Sequence, residues 1–332
     1  MRICIWYKLK QSPWGGSNSF LRALSHELTR LGHYVTESPS RSDDVVLLNS
    51  WSRGESRYLR DYQVSNIRLH GIPFNYGRFL PSFIKKFISP RGTPIIHRLD
   101  GVAQLYGRQD LLSDKTQFAI SEISDYSIFQ SQYSKRSFER FGISPNNFVI
   151  IHNTVDGKIF YPQKRPNSIK LPLKMIAVSW SANPMKGFLL LAKIANNLDV
   201  KLSFIGNWCP DVEPGNVKIL GIKTTQEIAQ LMRGSDVLVH MAENDPCPNV
   251  VLEGLASGLP ILYKHSGGSH ELAGDYGIPL SEDFNKDIDE IHDRFPELRQ
   301  KVLDANSTFL IEQCAINYLD VFQQAINLRK NE

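Results

Sequence analysis

Residues able to do chemistry concentrate in one stretch, Asp245-Pro-Cys-Pro-Asn-Val-Val-Leu-Glu253-Gly-Leu-Ala-Ser-Gly258-Leu-Pro260, where two carboxylates stand eight residues apart. A strand-like run, Val237-Leu-Val-His240, precedes it and helix-forming residues follow. With a helix starting near Pro248 or Asn249, its first amides, those of Asn249 and Val250, lack carbonyl partners and offer partial positive charge to an anion such as a diphosphate. Asp245 lies in the loop ahead of that helix and Glu253 about one turn inside it. Two acids so placed accept hydroxyl hydrogen bonds on either side of the diphosphate, one from a transferred sugar and one from a ribose. The plainer alternative is an acidic N-terminal turn favoured by the helix dipole; the paired spacing and the Gly258-Leu-Pro260 that follows weigh against it.

A helix start reaches a ligand from a strand-loop-helix unit, and the chain repeats that unit. Arg2-Ile-Cys-Ile-Trp6 reads as a buried strand, followed by a helix with Phe20, Leu21, Leu24, Leu28 and Leu31 on one face and Gly32 at its stop. Tyr34–Thr36, Asp44–Leu48, Pro94–His97, Gln117–Ile120 and Phe148–Ile151 are further strand-like runs. Residues 161–173 carry three prolines and read as a linker. The alternation then restarts with Met175–Val178, a helix over about Phe188–Asn197, Leu202–Ile205, Val217–Leu220, a helix over Thr225–Met232, and Val237–His240. The expected fold is α/β: two doubly wound Rossmann-like domains, residues 1–165 and 166–305, facing a cleft. A final helix over about Ser307–Leu328, within 306–332, crosses back to the first domain.

Composition bounds the function. At 332 residues and 42% hydrophobic content, the chain has length for two cores. It contains no apolar run of membrane-spanning length, and Met1–Trp6 turns polar too soon for a secretory signal, so a cytoplasmic location is expected. Cys4, Cys209, Cys247 and Cys314 lie too far apart for a zinc or redox motif and read as free thiols. Residues 1–165 carry a net charge of +10 and the remainder −6. That asymmetry points to an anionic partner for the first half. No nucleic-acid-binding signature accompanies it, so a phosphate-bearing acceptor or an anionic membrane leaflet fits better than nucleic acid. The stretch 76–91 places Phe79, Leu80, Phe83, Ile84, Phe87 and Ile88 at helical spacing beside Lys85 and Lys86. It is either a peripheral membrane-docking helix or an apolar face packed on the core.

The segment from Asp245 to Pro260 resembles the donor-binding motif of retaining nucleotide-sugar glycosyltransferases of the GT-B fold, family 4. There a Glu, seven residues and a second Glu precede a small-residue helix and a Gly-x-Pro strand. Glu253 matches the second acid; Asp245 stands at the first, with Glu243 two residues before it. Four other segments extend the resemblance from residue 1 to about 280. Pro13-Trp-Gly15-Gly16 resembles the family's first glycine loop, where bare backbone approaches a phosphate or acceptor. Ile151-His-Asn-Thr-Val-Asp156 resembles the segment leading to the domain crossing. Lys186-Gly187 resembles a Lys-Gly pair whose lysine binds the donor diphosphate, although Ser181 replaces an arginine usual five residues earlier. Lys264, Arg98 and Arg108 are candidates for that missing cation. His265-Ser-Gly267-Gly268-Ser-His-Glu271 resembles the family's Gly-Gly-x-x-Glu loop, which implies backbone contact at Gly267 and Gly268 and a nucleotide contact for Glu271.

Pro94-Ile-Ile-His97-Arg98-Leu99-Asp100 occupies the place of a family histidine close to the reacting sugar. Alternation along a strand turns His97 and Asp100 different ways. Asp100 is the expected polar partner of the acceptor or sugar, and His97 is expected in the core. The resemblance implies a sugar transferred from a nucleotide-sugar to a glycan or lipid-linked acceptor, with retention of configuration and without a metal. Asp100, Asp245 and Glu253 are then the catalytic set, and the leaving phosphate helps to deprotonate the incoming hydroxyl. Two alternatives stay open: another GT-B enzyme, such as a phosphorylase or epimerase, and a non-catalytic nucleotide-sugar or glycan binder.

Overall fold

A computed structural model describes residues 1–10, 15–54, 58–70, 92–108, 111–165 and 168–331. The chain divides into two compact units. The first comprises Met1–Gln11, Phe20–His152 and Glu312–Glu332, and the second Ser12–Ser19 and Asn153–Ile311. Pro13, Trp14 and the stretch 76–91 lie outside the described residues.

The strands of the first unit are β1 (Arg2–Ile5), β2 (Tyr34–Thr36), β3 (Val45–Asn49), β4 (Ile95–Leu99), β5 (Tyr126–Phe129) and β6 (Phe148–Ile150). They form one parallel sheet in the order β2-β1-β3-β4-β5-β6. β3 and β4 are buried along their whole length, as a strand covered on both faces must be. Its helices are α1 (Gly16–Arg30, whose first turn to Ser19 belongs to the second unit), α2 (Asp61–His70), α3 (Leu111–Ile123) and α4 (Gln132–Glu139). Gln117–Ile120, expected as a strand, lies inside α3, and β5 takes its place in the sheet. The buried face of α3 is Ser113, Asp114, Gln117, Ile120 and Ser121. Its helical period is thus written mostly in polar residues, and hydrophobic periodicity cannot register it. Asp114 stays buried because it accepts the Ala103 amide at 2.7 Å and the Gln104 amide at 3.2 Å.

In the second unit the strands are β7 (Leu173–Ser179), β8 (Val200–Gly206), β9 (Lys218–Ile219), β10 (Val237–His240), β11 (Ile261–Tyr263) and β12 (Gly277–Pro279). Its helices are α5 (Phe188–Ala195), α6 (Thr225–Arg233), α7 (Asn249–Ala256), α8 (Ser269–Ala273) and α9 (Phe284–Asp304). The sheet is parallel, ordered β12-β11-β10-β7-β8-β9. Strand order reverses between β7 and β10, and that switch point is where loops beyond the strand ends diverge to admit a ligand. The segment 161–173, expected as the linker, lies within this unit. Its polar residues are engaged: Arg165 pairs with Asp236 at 3.0 Å, and Arg299 donates to the Gln163 carbonyl at 3.0 Å. The main chain enters at Asn153 and leaves at Ile311, and the two crossings touch. Val155 N–H donates to Phe309 O and Ile311 N–H to Val155 O, both at 3.0 Å.

The last helix, α10 (Ile311–Asn331), packs on the first unit through buried Cys314, Ala315, Tyr318, Val321, Phe322 and Ala325, with the Tyr318 ring 5.8 Å from Phe20. Its far end is pinned by Asp125, which accepts from Arg329 at 3.2 Å, from Arg68 at 3.1 Å and from the Ile95 amide at 2.8 Å. Asp125→Ala strands two arginines beside a buried amide. We expect a loss of about 3 kcal/mol, read as a lowered thermal midpoint, because breaking a buried ion pair from one side leaves uncompensated charge. No helix of the described residues is long and apolar enough to cross a membrane.

Candidate functional site

Three loops of the second unit meet beyond the carboxyl ends of β7, β10 and β11. After β7 the chain turns at Ser181, whose hydroxyl accepts the Asn183 amide at 3.2 Å, and runs through a 3-10 turn, Pro184–Lys186, to Gly187. Gly187 has φ +79°, and a Cβ there would stand 2.3 Å from Met241 O. Only glycine lets the Lys186 loop lie flush on the loop after β10. Glu243 N–H donates to Met185 O at 2.8 Å and fixes the contact. From the other side, Gly267 (φ +63°) sits where a Cβ would meet Asp245 O at 2.3 Å, and Gly268 N–H donates to Asp245 O at 2.8 Å. Asn244, in the left-handed region at φ 55°, donates its amide to Ser266 Oγ at 3.0 Å.

This packing joins Lys186 to Asp245, with Nζ donating to Oδ2 at 2.8 Å. Burial pushes the Asp245 carboxyl upward, yet the charges of Lys186 and His240, the Lys186 hydrogen bond and the Cys247 amide outweigh it and hold the group below the ordinary carboxylate range. Lys264 pairs with Glu243 of the same loop. Arg98, in the first unit, is fully buried against Asn49 and the Phe20 ring, while Arg108 lies over Tyr106.

Helix α7 begins at Asn249 behind Pro248, which offers no side-chain acceptor to cap it. The Asn249 and Val250 amides therefore start a helix whose positive end takes no side-chain cap from Pro248. The Asn249 side chain is engaged at both ends. Its Nδ2 donates to Gly16 O at 2.7 Å, and its Oδ1 accepts from Asn153 Nδ2 at 2.7 Å. A Cβ on Gly16 would stand 2.7 Å from that Nδ2; Gly15 before it has φ +88°. Glu253, one turn into α7, receives no hydrogen bond on its carboxylate from a described residue, and burial alone lifts the group to about 7. Glu271 lies in the first turn of α8.

Asp100 belongs to the first unit, just past β4, where its Oδ1 accepts from Gln130 Nε2 at 3.3 Å. His97 is fully buried, and its Nε2 meets Ser50 O at 2.8 Å. The sequence contains one Asp-x-Asp, Asp287-Ile-Asp289, within α9, where Asp287 accepts from Ser281 Oγ at 2.7 Å and organises that turn.

His240 escaped the sequence reading. It ends β10 at 6% exposure, with its Nε2 sealed from solvent and without a hydrogen-bond partner among the described residues. It shares a face with Leu238, on which α7 packs so closely that a Cβ on Gly254 would lie 2.7 Å from a Leu238 methyl. Burial, aided by Lys186 and opposed by Asp245, lowers its pKa to about 4, so the ring is neutral near pH 7.

A lysine, an uncapped helix start and two carboxylates at a topological switch point suit a ligand that carries both phosphate charge and hydroxyls. Residues 163–301 match the family model of glycosyl transferases group 1. Solved structures resemble the whole chain. Sucrose-phosphate synthase from Thermosynechococcus elongatus superposes with a TM-score of 0.66 at 15% identity, over 99% of this chain and 100% of that one. HepE from Anabaena in complex with UDP gives 0.67 at 15% identity, over 98% and 100%. AviGT4, a glycosyltransferase involved in avilamycin A biosynthesis, gives 0.62 at 16% identity, over 98% and 97%. The fold is thus GT-B, two Rossmann-like units with a six-stranded parallel sheet in each. No sequence among curated proteins matches the chain.

Proposed function

We propose that the chain transfers a sugar from a nucleotide-sugar donor to a glycan or lipid-linked acceptor, with retention of configuration and without a metal. One observation carries the reading: the Lys186–Asp245 pair, the start of α7 behind Pro248 and the buried Glu253, whose carboxylate has no hydrogen-bond partner among the described residues, all fall within the stretch that matches group 1 glycosyl transferases. In it, Lys186 and the Asn249 and Val250 amides meet the diphosphate and stabilise the charge that grows as the glycosidic bond breaks. Asp245 and Glu253 accept hydroxyls of the transferred sugar and the ribose. Gly267, Gly268 and Glu271 border the donor, and Asp100 orients the acceptor. The similarity to HepE, solved with UDP and with UDP-glucose, supports a nucleotide-sugar. The protein works in the cytoplasm, at the membrane face where its acceptor is lipid-linked.

A thermal-shift screen of UDP-, GDP- and ADP-sugars tests this. A donor at 100 times its Kd adds about 2.7 kcal/mol to the folded state and raises the midpoint. Lys186→Ala weakens binding of that donor roughly 10-fold or more, as expected for loss of a charged hydrogen bond. No shift with any of the three classes, at millimolar ligand, overturns the proposal.

A further inference from the structure

We infer that Asp245 and Lys186 discriminate the intact sugar donor from the spent nucleoside diphosphate, because each holds the other until a ligand satisfies both. The inference rests on the proposed donor site and goes beyond it.

Lys186 is paired with Asp245, four residues ahead of Asn249 where α7 starts, and its ammonium is already committed at 2.8 Å. The Lys186 side chain is 32% exposed and that of Asp245 17%, so the pair is partly desolvated and its separation is not simply made good by water. A diphosphate that draws Lys186 away leaves Asp245 as a carboxylate beside a second anion. Among the described residues, the other groups that act on Asp245 do not replace the lost cation. The Cys247 amide is a single neutral donor, and His240 is uncharged near pH 7. Lys264, across the same loop, is paired with Glu243.

Only hydroxyl donors on the ligand can then restore the balance. A nucleotide-sugar brings them on the sugar attached to its diphosphate; a nucleoside diphosphate brings the charge without them. The bare nucleotide therefore captures Lys186 at the expense of Asp245, whereas the full donor satisfies both. After transfer the sugar departs, Asp245 is again without a partner, and the return of Lys186 to it helps to expel the product.

The test is calorimetric titration of UDP, GDP and ADP, and of the nucleotide-sugar that most stabilises the wild type, into wild type, Asp245→Asn, Lys186→Ala and the double variant. Asparagine keeps the shape and releases the ammonium. Asp245→Asn should bind the nucleoside diphosphate about 10-fold tighter than wild type and the nucleotide-sugar more weakly, which reverses the preference; in the Lys186→Ala background the tightening should vanish. Should Asp245→Asn not fold, Asp245→Ser carries the same comparison. Nucleoside diphosphate affinity that is unchanged or weaker on losing the carboxylate, or tightening that persists without Lys186, overturns the inference while leaving the donor site standing. A wild type that binds none of the three nucleotides overturns the proposed function and the inference with it.

Discussion

Glu253→Gln should lose about two orders of magnitude in transfer and yet gain stability at pH 8. The two effects have one cause. Burial lifts the Glu253 carboxyl from near 4.5 to about 7, and no described residue offers it a hydrogen bond. The folded protein therefore keeps a proton on Glu253 across a range in which the unfolded chain has released it. Its stability contribution is neutral below pH 4.5, falls as pH rises from there through 7, and stays low above. At about 1.4 kcal/mol per unit, and allowing for partial exposure of the residue, the folded state at pH 8 carries a penalty of about 2–3 kcal/mol that the neutral amide removes. Thermal unfolding of both proteins at pH 4 and pH 8 should give nearly equal midpoints at the first and a higher one for the variant at the second. In the proposed site this carboxylate accepts a donor hydroxyl, and a hydrogen bond to a charged group that is lost at the ligand costs about 1.5–3 kcal/mol, enough for roughly a 100-fold fall in kcat/KM. Donor affinity of the wild type should climb as pH passes through 7, where Glu253 ionises. Undiminished turnover by Glu253→Gln would sink the assignment.

Gly267→Val should be as damaging to transfer while leaving the sheets intact. The new Cβ would collide with backbone, 2.3 Å from Asp245 O and 2.6 Å from Asp245 N, at a φ of +63°. A left-handed conformation alone costs an ordinary residue about 1–2 kcal/mol, and valine is among the least tolerant. Neither obstacle yields to a rotamer change, so the Gly268 N–H to Asp245 O bond must break and the acid must move. A displacement of about 1 Å at a reacting centre can cost roughly 100-fold in rate. Unchanged far-UV circular dichroism with a midpoint lowered by several degrees, alongside the lost activity, is the expected pattern. Wild-type kcat/KM in this variant would show that the loop has no bearing on the chemistry.

What could be read from the sequence follows from how local each feature is. Strands such as β3 carry a continuous apolar run, Val45–Leu48, and α7 begins at the Asn249 that the proline and the paired acids mark. Gly187 and Gly267 are visible as glycines in loops, although their purpose, the close approach of another loop's backbone, shows only once the strands are in order. The Lys186–Asp245 pair spans 59 residues and arises because β7 and β10, distant in the chain, are neighbours across the reversal of strand order. No spacing rule contains that. His240 looked like the end of a core strand because it is one; what sets it apart is an unpartnered ring nitrogen near a charged pair. Helix α3 was misread for the opposite reason, since its inward face is polar and satisfied by hydrogen bonds that sequence does not display.

The paired main-chain bonds between Val155 and the residues at 309 and 311 make the second sheet a cassette. The ends of its long stretch, 153–311, are clasped to each other by these two bonds. Recombination at those two positions would move Lys186, Asp245 and Glu253 together, but not the unit's other segment, Ser12–Ser19, whose Gly16 O accepts from Asn249 Nδ2 and would have to be matched by the host. The strand order of the host sheet and the closing helix pinned by Asp125 would pass through such an exchange unaltered.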